Sequence, residues 1–311
     1  MITAVCMNPC VDKTVTIPAF HYGGMNRIQT MRQDGSGKGV NVALALDQIG
    51  VPSACIGILG SRHEAVTQRF AGTRCVCDWI PAARPLRINT KILDTSRNIV
   101  TELNEPGAPA DAETLEKTSA LIRDWGERSR YMVFTGSTPP GCPPEYYRDR
   151  ILELRKTASD CRCVLDAEGE RLRLGLEAAP FMIKPNRYEL ELLTGKPAET
   201  LEDVVGAAES LLKRGVAYAA ISLGGDGACL ATERGVWYTP AMRVEVRSTV
   251  GAGDSMVAGM LRALSLGLED GEVLRHGTAA AASSVTTEGT RLIHPERYRR
   301  YIEEAELQRI G

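Results

Sequence analysis

Short apolar runs at residues 2–6, 54–59, 131–135, 163–166, 181–183 and 219–223 alternate with helical patterning along most of this 311-residue chain. Such runs are too short for helices and too uniformly apolar for strands with one wet face, so they read as strands buried on both sides. Strand–helix alternation argues for a parallel sheet covered by helices on both faces, an α/β/α sandwich with right-handed connections. Hydrophobic residues make up 43% of the chain, enough for the core that this requires. Ligands in such sheets sit beyond the carboxyl ends of the strands. Four candidate loops are expected there: Gly136-Ser137, Lys184 to Asn186, Ser222 to Gly227, and Gly251 to Asp254.

The last loop says most about chemistry. The alternating Val244-x-Val246 predicts a strand, Gly251-Ala252-Gly253 a turn, and Met256-Val257-x-x-Met260-Leu261-x-x-Leu264 a helix. Gly251 and Gly253 permit positive φ and close backbone approach to a ligand. Free N–H groups at the helix start would face an anion. Asp254 is out of place in a turn that attracts phosphate. It makes sense if it accepts the proton of a hydroxyl attacking that phosphate. As an ordinary helix N-cap it satisfies local preferences equally well.

Residues 11–33 and 86–104 have a different pattern. Val11-x-x-Thr14-Val15-x-Ile17, Arg27-Ile28-x-Thr30-Met31 and the runs 85–92 and 99–103 alternate with one polar face. That suits a small sheet covering a site, its last two strands forming a hairpin. Between them, Gly35-Ser36-Gly37-Lys38-Gly39 imitates a Walker A loop. It is not one, because Arg32 stands where the first glycine is required and Gly39 where Ser or Thr should follow the lysine. What remains is a glycine turn entering an apolar helix. Lys38 and Asn41 lie near its first turn, where they either grip a polar ligand or sit in solvent. Residues 61–77 read as a short charged helix.

Asn186 and Glu189 stand one helical turn apart. They can close a capping box or order the hydration shell of magnesium, and one role does not exclude the other. Gly224-Gly225-Asp226-Gly227 reads locally as a hairpin turn. With 37 basic against 39 acidic residues and no long block of like charge, a nucleic-acid tail is excluded. Nine scattered cysteines fit free thiols, and neither Cys75-x-Cys77 nor Cys161-x-Cys163 has the spacing of structural zinc ligands. The opening residues lack the basic start of a signal peptide, and no apolar run approaches membrane-spanning length. A soluble cytoplasmic protein is expected.

Residues 248–259, from Ser248-Thr249-Val250-Gly251-Ala252-Gly253-Asp254 to Gly259, resemble the C-terminal signature of the ribokinase-like (PfkB) carbohydrate kinases. Gly37-Lys38-Gly39-x-Asn41-x-Ala43 resembles their N-terminal signature and Asn8-Pro9-x-x-Asp12 their opening. Arg87-Ile88-Asn89-x-Lys91 resembles a run of the phosphosugar branch, which holds the 1-phosphofructokinases and tagatose-6-phosphate kinases. The likeness extends over nearly the full length. It implies one ribokinase-like domain over residues 1–311, a three-layer sandwich with a mostly parallel sheet and a β lid from residues 11–33 and 86–104.

The implied reaction is transfer of the γ-phosphoryl group of ATP, with Mg²⁺, to a hydroxyl of a ketohexose phosphate. Fructose 1-phosphate is the first expectation and tagatose 6-phosphate, or another sugar of the family, the alternative. The resemblance makes Asp254 the base and Gly251, Ala252 and Gly253 the anion hole. It assigns Asp12, Gly37, Asn41 and Ser137 to the sugar, with Arg27, Lys38 and Arg87 near its phosphate. Lys184, Asn186, Ser222, Gly224, Gly227, Ser248 and Thr249 fall to the nucleotide, and Asn186 with Glu189 to water-bound magnesium. Thr287 to Thr290 resembles a stretch near the adenine.

Three positions depart from the family pattern. Ser36 replaces a common glycine beside the sugar, Glu105 interrupts Asn-Gly-Pro-Gly, and Ser248 replaces the aspartate of potassium-dependent members. A lid of this kind can close over its own sugar or pack against a second subunit as a homodimer. Because fold does not dictate function, a sugar- or nucleotide-binding regulator without activity is the reading from another class.

Overall fold

The computed structural model describes residues 1–287 and 291–311. In chain order the strands are β1 (Ile2–Cys6), β2 (Cys10–Ile17), β3 (Thr30–Ser36), β4 (Ser53–Ser61), β5 (Val76–Pro85), β6 (Arg87–Asp94), β7 (Ile99–Asn104), β8 (Tyr131–Thr135), β9 (Arg162–Asp166), β10 (Met182–Ile183), β11 (Tyr218–Ser222), β12 (Ala228–Thr232), β13 (Gly235–Thr239) and β14 (Gln308–Arg309). The helices are α1 (Lys38–Gln48), α2 (Glu64–Arg69), α3 (Ala112–Gly126), α4 (Tyr146–Thr157), α5 (Gly169–Gly175), α6 (Arg187–Thr194), α7 (Leu201–Leu212), α8 (Ala252–Ser265), α9 (Asp270–Val285) and α10 (Pro295–Glu304).

The main sheet runs β14-β13-β12-β11-β10-β9-β8-β1-β4-β5. It is parallel from β11 to β5, and only β12, β13 and β14 join it antiparallel. Alternation divides its side chains between two cores. In β8, Tyr131 and Val133 join the cluster under α1, α8, α9 and α10. Met132 and Phe134 join the one under α3, α4, α5, α6 and α7. Each such side chain, fully buried, contributes about 1.5–3 kcal/mol. Small residues let α8 and α9 lie close: a Cβ on Gly259 would stand 2.3 Å from the carbonyl oxygen of His276. No helix among the described residues is long and apolar enough to cross a membrane.

A second sheet of order β3-β2-β6-β7 forms the lid. Its central pair, β2 and β6, is parallel, and the outer pairs are antiparallel. Its edge strand β3 is Thr30–Ser36, displaced from the expected run at Arg27 to Met31. The strand is set by pairing along β2, which aligns Asp12 with Asp34 and Thr16 with Thr30. Of the helix expected over 61–77 only Glu64–Arg69 forms, because the chain then pairs with β4 as strand β5. The strand expected at Val244 to Val246 is absent. Those apolar side chains line a cavity instead, while the amides of Arg247 and Ser248 donate to the carbonyl of Val285. The loop at Gly251 is therefore reached through irregular chain, not from the end of a strand.

Candidate active site

Gly251 caps α8 with φ 77°, a left-handed conformation that suits glycine. Asp254 is the third helical residue, so the N-cap alternative fails on position. The Asp254 side chain is buried at 5% exposure. Its Oδ2 accepts a hydrogen bond of 2.8 Å from Nδ2 of Asn41, in the second turn of α1. The oxygen of that amide, Asn41 Oδ1, is buried with no partner among the described residues. Burial pushes the Asp254 carboxyl up to about 6, the Asp166 charge adds to the rise, and Lys38, the Asn41 bond and Lys184 oppose it. A carboxylate poised there is a proton acceptor near neutral pH.

Asp166, at the carboxyl end of β9, holds two lysines beside this carboxylate. Its Oδ1 lies 3.3 Å from Lys184 Nζ and its Oδ2 3.6 Å from Lys38 Nζ, while Thr135 donates to Oδ2 at 3.2 Å. Burial works against the Asp166 charge, and Lys184 and then Lys38 overcome it, leaving the carboxyl below its usual range. The same Asp166 raises Lys38 far above an ordinary lysine. Gly253 leaves room for the second lysine, since a Cβ there would sit 3.2 Å from Lys184 Nζ. Two carboxylates and two lysines thus converge at the start of α8.

Two cavities flank the cluster. A polar one of about 360 Å³ is lined by Lys38, Arg87, Asn89, Asn104, Ser137 and Arg171, among others. Asn8 spans its wall, donating to Ser137 Oγ at 3.2 Å. Arg87 is fixed by the carbonyls of Asn8 and Glu105, and Arg171 by Thr138. An apolar cavity of about 400 Å³ is lined by Met242, Val244, Val246, Ala281 and Ala282. Asn186, Ser222, Gly224, Gly227, Thr249, Ala252 and Gly253 border it too. The turn at Gly224 to Gly227 is at once the β11–β12 connection and a wall of this cavity.

Other expected residues fall outside these linings. Asp12 is buried, and its carboxylate accepts from Lys91 at 3.1 Å and Asn89 at 3.3 Å. Gly37 packs against Cys6 and Pro9. Arg27 lies exposed in the connection between β2 and β3 and borders neither cavity. Ser248 Oγ accepts from the amide of Val250. Glu288, Gly289 and Thr290 lie outside the described residues.

Asn186 and Glu189 form the full capping box of α6: Asn186 Oδ1 accepts from the Glu189 amide and Glu189 Oε2 from the Asn186 amide. Glu189 Oε1 keeps its acceptor capacity, and burial raises the Glu189 carboxyl, an environment a cation would relieve. Among the described residues no group of three or more His, Cys, Asp or Glu side chains is placed to hold a metal directly.

From sequence, Asp166 and Arg171 have no assigned role, and Asn89 and Lys91 enter only as part of the run 87–91, without their bonds to Asp12. Asp166 was within reach, since it ends an apolar strand at the carboxyl edge where ligands gather.

The model of the pfkB family carbohydrate kinases matches residues 4–297. The chain belongs to this family. It is similar to the 1-phosphofructokinase of Rhodobacter capsulatus, 37% identical over 300 residues covering 95% of this chain and 94% of that protein. The 1-phosphofructokinase of Escherichia coli K12 is 33% identical over 290 residues, 92% of this chain and 91% of that protein. Among solved structures, phosphofructokinase-2 from Escherichia coli in complex with substrates and products superposes with a TM-score of 0.91. It is 25% identical and covers 97% of this chain and 98% of its own. The kinase is thus a phosphotransferase acting on a sugar hydroxyl, with the family's ATP as donor, and the alternative of an inactive regulator is set aside.

Proposed function

We propose that this kinase phosphorylates the 6-hydroxyl of fructose 1-phosphate to give fructose 1,6-bisphosphate. The single observation carrying the reading is the buried Asp254 carboxylate bonded to Asn41, with its neighbour Gly253 on the wall of the apolar cavity and Lys38 on the wall of the polar one. The names of the relatives, 1-phosphofructokinases at 30–37% identity, point to the same sugar.

Asp254 takes the proton of the attacking hydroxyl as its oxygen bonds to the γ-phosphorus, and the bond from that phosphorus to the β-bridging oxygen breaks to release ADP. Backbone amides at Gly251 to Gly253 receive charge developing on the transferred group, with Lys38 and Lys184 beside it. Arg87 and Arg171 suit the sugar's existing phosphate, because a guanidinium fork matches phosphate oxygens. Magnesium, when bound, neutralises charge on the nucleotide phosphates. Glu189 and Asn186 are the residues that would hold its water.

Comparing kcat/KM for fructose 1-phosphate, fructose 6-phosphate, tagatose 6-phosphate and fructose tests the assignment. Fructose 1-phosphate is expected to lead by at least about tenfold. A lead by tagatose 6-phosphate would transfer the assignment to that sugar.

The lid supports a homodimer. Met31, Ile99, Val100 and Leu103 are each more than half exposed, a density of apolar surface that association would cover.

A further inference from the structure

Arg87 stands at a boundary. With Asn8 it lines both the polar cavity and a neighbouring one of about 350 Å³ between β5 and the start of α3, so the two side chains form part of the wall between them. Three acceptors hold its half-buried guanidinium there. Nε donates to the Asn8 carbonyl at 3.1 Å, and Nη1 to the Glu105 carbonyl at 3.1 Å and to Asn89 Oδ1 at 3.4 Å. Among the described residues Nη2 has no hydrogen-bond partner, which leaves that end of the fork for a ligand.

Glu105 reaches this arginine twice. Its carbonyl takes the Nη1 bond, and its side-chain Oε2 accepts at 2.9 Å from the amide of Ile88, the residue that follows Arg87. The second bond lies where the lid hairpin stops. β6 and β7 pair from Asp94 and Ile99 to Asn89 and Asn104, so Ile88 and Glu105 are the next positions in register and the ladder does not reach them. The Glu105 carboxylate supplies the acceptor that the ladder no longer gives, and a charged acceptor makes the stronger bond. Pro106 follows, disfavours the helical region for Glu105, and accepts at its own carbonyl from Asn8 Nδ2 at 3.0 Å. Residues 105 and 106 thus hold both side chains of the wall. Glu105 is exposed and does not itself line the polar cavity, so it acts on a ligand there through Arg87 rather than by touching it.

We propose that Glu105 is a positioning residue for the sugar's phosphate, its carbonyl and carboxylate together fixing where the Arg87 fork points. This role rests on the proposed placement of that phosphate at Arg87, and it adds the group that aims the guanidinium. A long side chain oriented before binding loses less freedom when the ligand arrives. Removing the Glu105 carboxylate frees the Ile88 amide and slackens the hairpin end that carries the Glu105 carbonyl. The sugar phosphate must then order Arg87 itself, which weakens its binding without touching the groups that transfer the phosphoryl.

Steady-state kinetics of the full chain with fructose 1-phosphate and ATP tests this role in E105A, E105Q, R87M and E105A/R87M. R87M is expected to raise KM for fructose 1-phosphate at least about tenfold, the scale of a lost charged hydrogen bond. E105A should raise the same KM by about threefold to tenfold, with kcat and KM for ATP within about twofold of wild type. E105Q keeps an acceptor for the Ile88 amide and should bring the sugar KM back to within about twofold. In the R87M background E105A should add nothing, because the group that it positions is gone. A wild-type KM in R87M removes the phosphate from Arg87, and the role of Glu105 with it. If R87M behaves as expected, an unchanged KM in E105A, or an equal rise in the R87M background, overturns the role of Glu105 and leaves Arg87 at the phosphate. E105Q as impaired as E105A overturns it too, since the bond to Ile88 would then not be what matters.

Discussion

The side-chain amide of Asn41 donates to the Asp254 carboxylate at 2.8 Å, joining the start of α1 to the start of α8 across 213 positions of sequence. That bond favours the charged form of Asp254, whereas burial disfavours it and dominates. The balance leaves the carboxyl at about 6. As the base proposed for the transfer, Asp254 must be ionised to act. We expect kcat/KM to fall about tenfold per pH unit below roughly pH 6. Asn41→Ala removes a bond that lowers the Asp254 pKa, so its acid limb should move to higher pH. A profile in which only the plateau drops would assign Asn41 to substrate contact alone.

Asp254→Asn separates catalysis from stability. Turnover should fall by about two to four orders of magnitude with loss of the base. Stability should move the other way. The folded carboxyl sits at about 6, well above the ordinary aspartate value of 3.8, so the folded state binds this proton more tightly than the unfolded chain does. That advantage is complete below pH 4 and is lost as pH rises through 6, leaving an ionised, poorly solvated group above it. A neutral amide avoids this cost, by up to about 3 kcal/mol on the scale of 1.36 kcal/mol per pH unit. Urea melts at pH 8 should therefore favour the variant, with the gap closing near pH 4. A variant less stable than wild type at pH 8 contradicts this account.

Most of the fold was legible because burial on both faces writes an unbroken apolar run, as in β1, β8 and β11. The site was legible where glycine spacing marks a turn, at Gly37 and Gly251. Val244 and Val246 misled because alternation records only that every second side chain is apolar. It does not say whether those side chains face a sheet or, as here, the wall of a cavity. Asp254 kept two readings in sequence, since an N-cap and the third residue of a helix differ by one turn of register. Asp166 escaped notice because its meaning lies in Lys38 and Lys184, which only the fold brings to it.

Asp166→Asn should loosen both lysines together. Asp166 is buried at 2% exposure and, among the described residues, is the carboxylate paired with both Lys38 and Lys184. The amide retains size but not charge, so neither ammonium keeps a fixed partner. Both the sugar phosphate and ATP should then saturate less readily, with each KM rising by about tenfold, the scale of one charged hydrogen bond. Steady-state kinetics with either substrate varied decides this. A rise confined to one substrate would mean that only one lysine depends on Asp166.

The lid prediction concerns assembly. M31E/L103E places two carboxylates on exposed apolar positions of the outer strands β3 and β7. Light scattering after gel filtration should give twice the chain mass for wild type and the single-chain mass for the variant. A wild type that is monomeric at micromolar concentration removes the homodimer from the proposal.

Glu189 is the residue whose two readings a single substitution can separate. In the capping box its Oε2 accepts from the Asn186 amide, and glutamine at this position can do the same. Glu189→Gln should therefore leave the melting temperature within a few degrees of wild type, because the helix start keeps its bond. What the change removes is the negative charge available to order magnesium-bound water. The concentration of Mg²⁺ giving half-maximal activity should rise by several fold, and added Mg²⁺ should restore most of the turnover. Glu189→Ala removes both functions and should in addition cost about 0.5–2 kcal/mol of stability, the range for a lost helix cap. Equal magnesium requirements for Glu189→Gln and wild type would leave Glu189 with the cap as its only role.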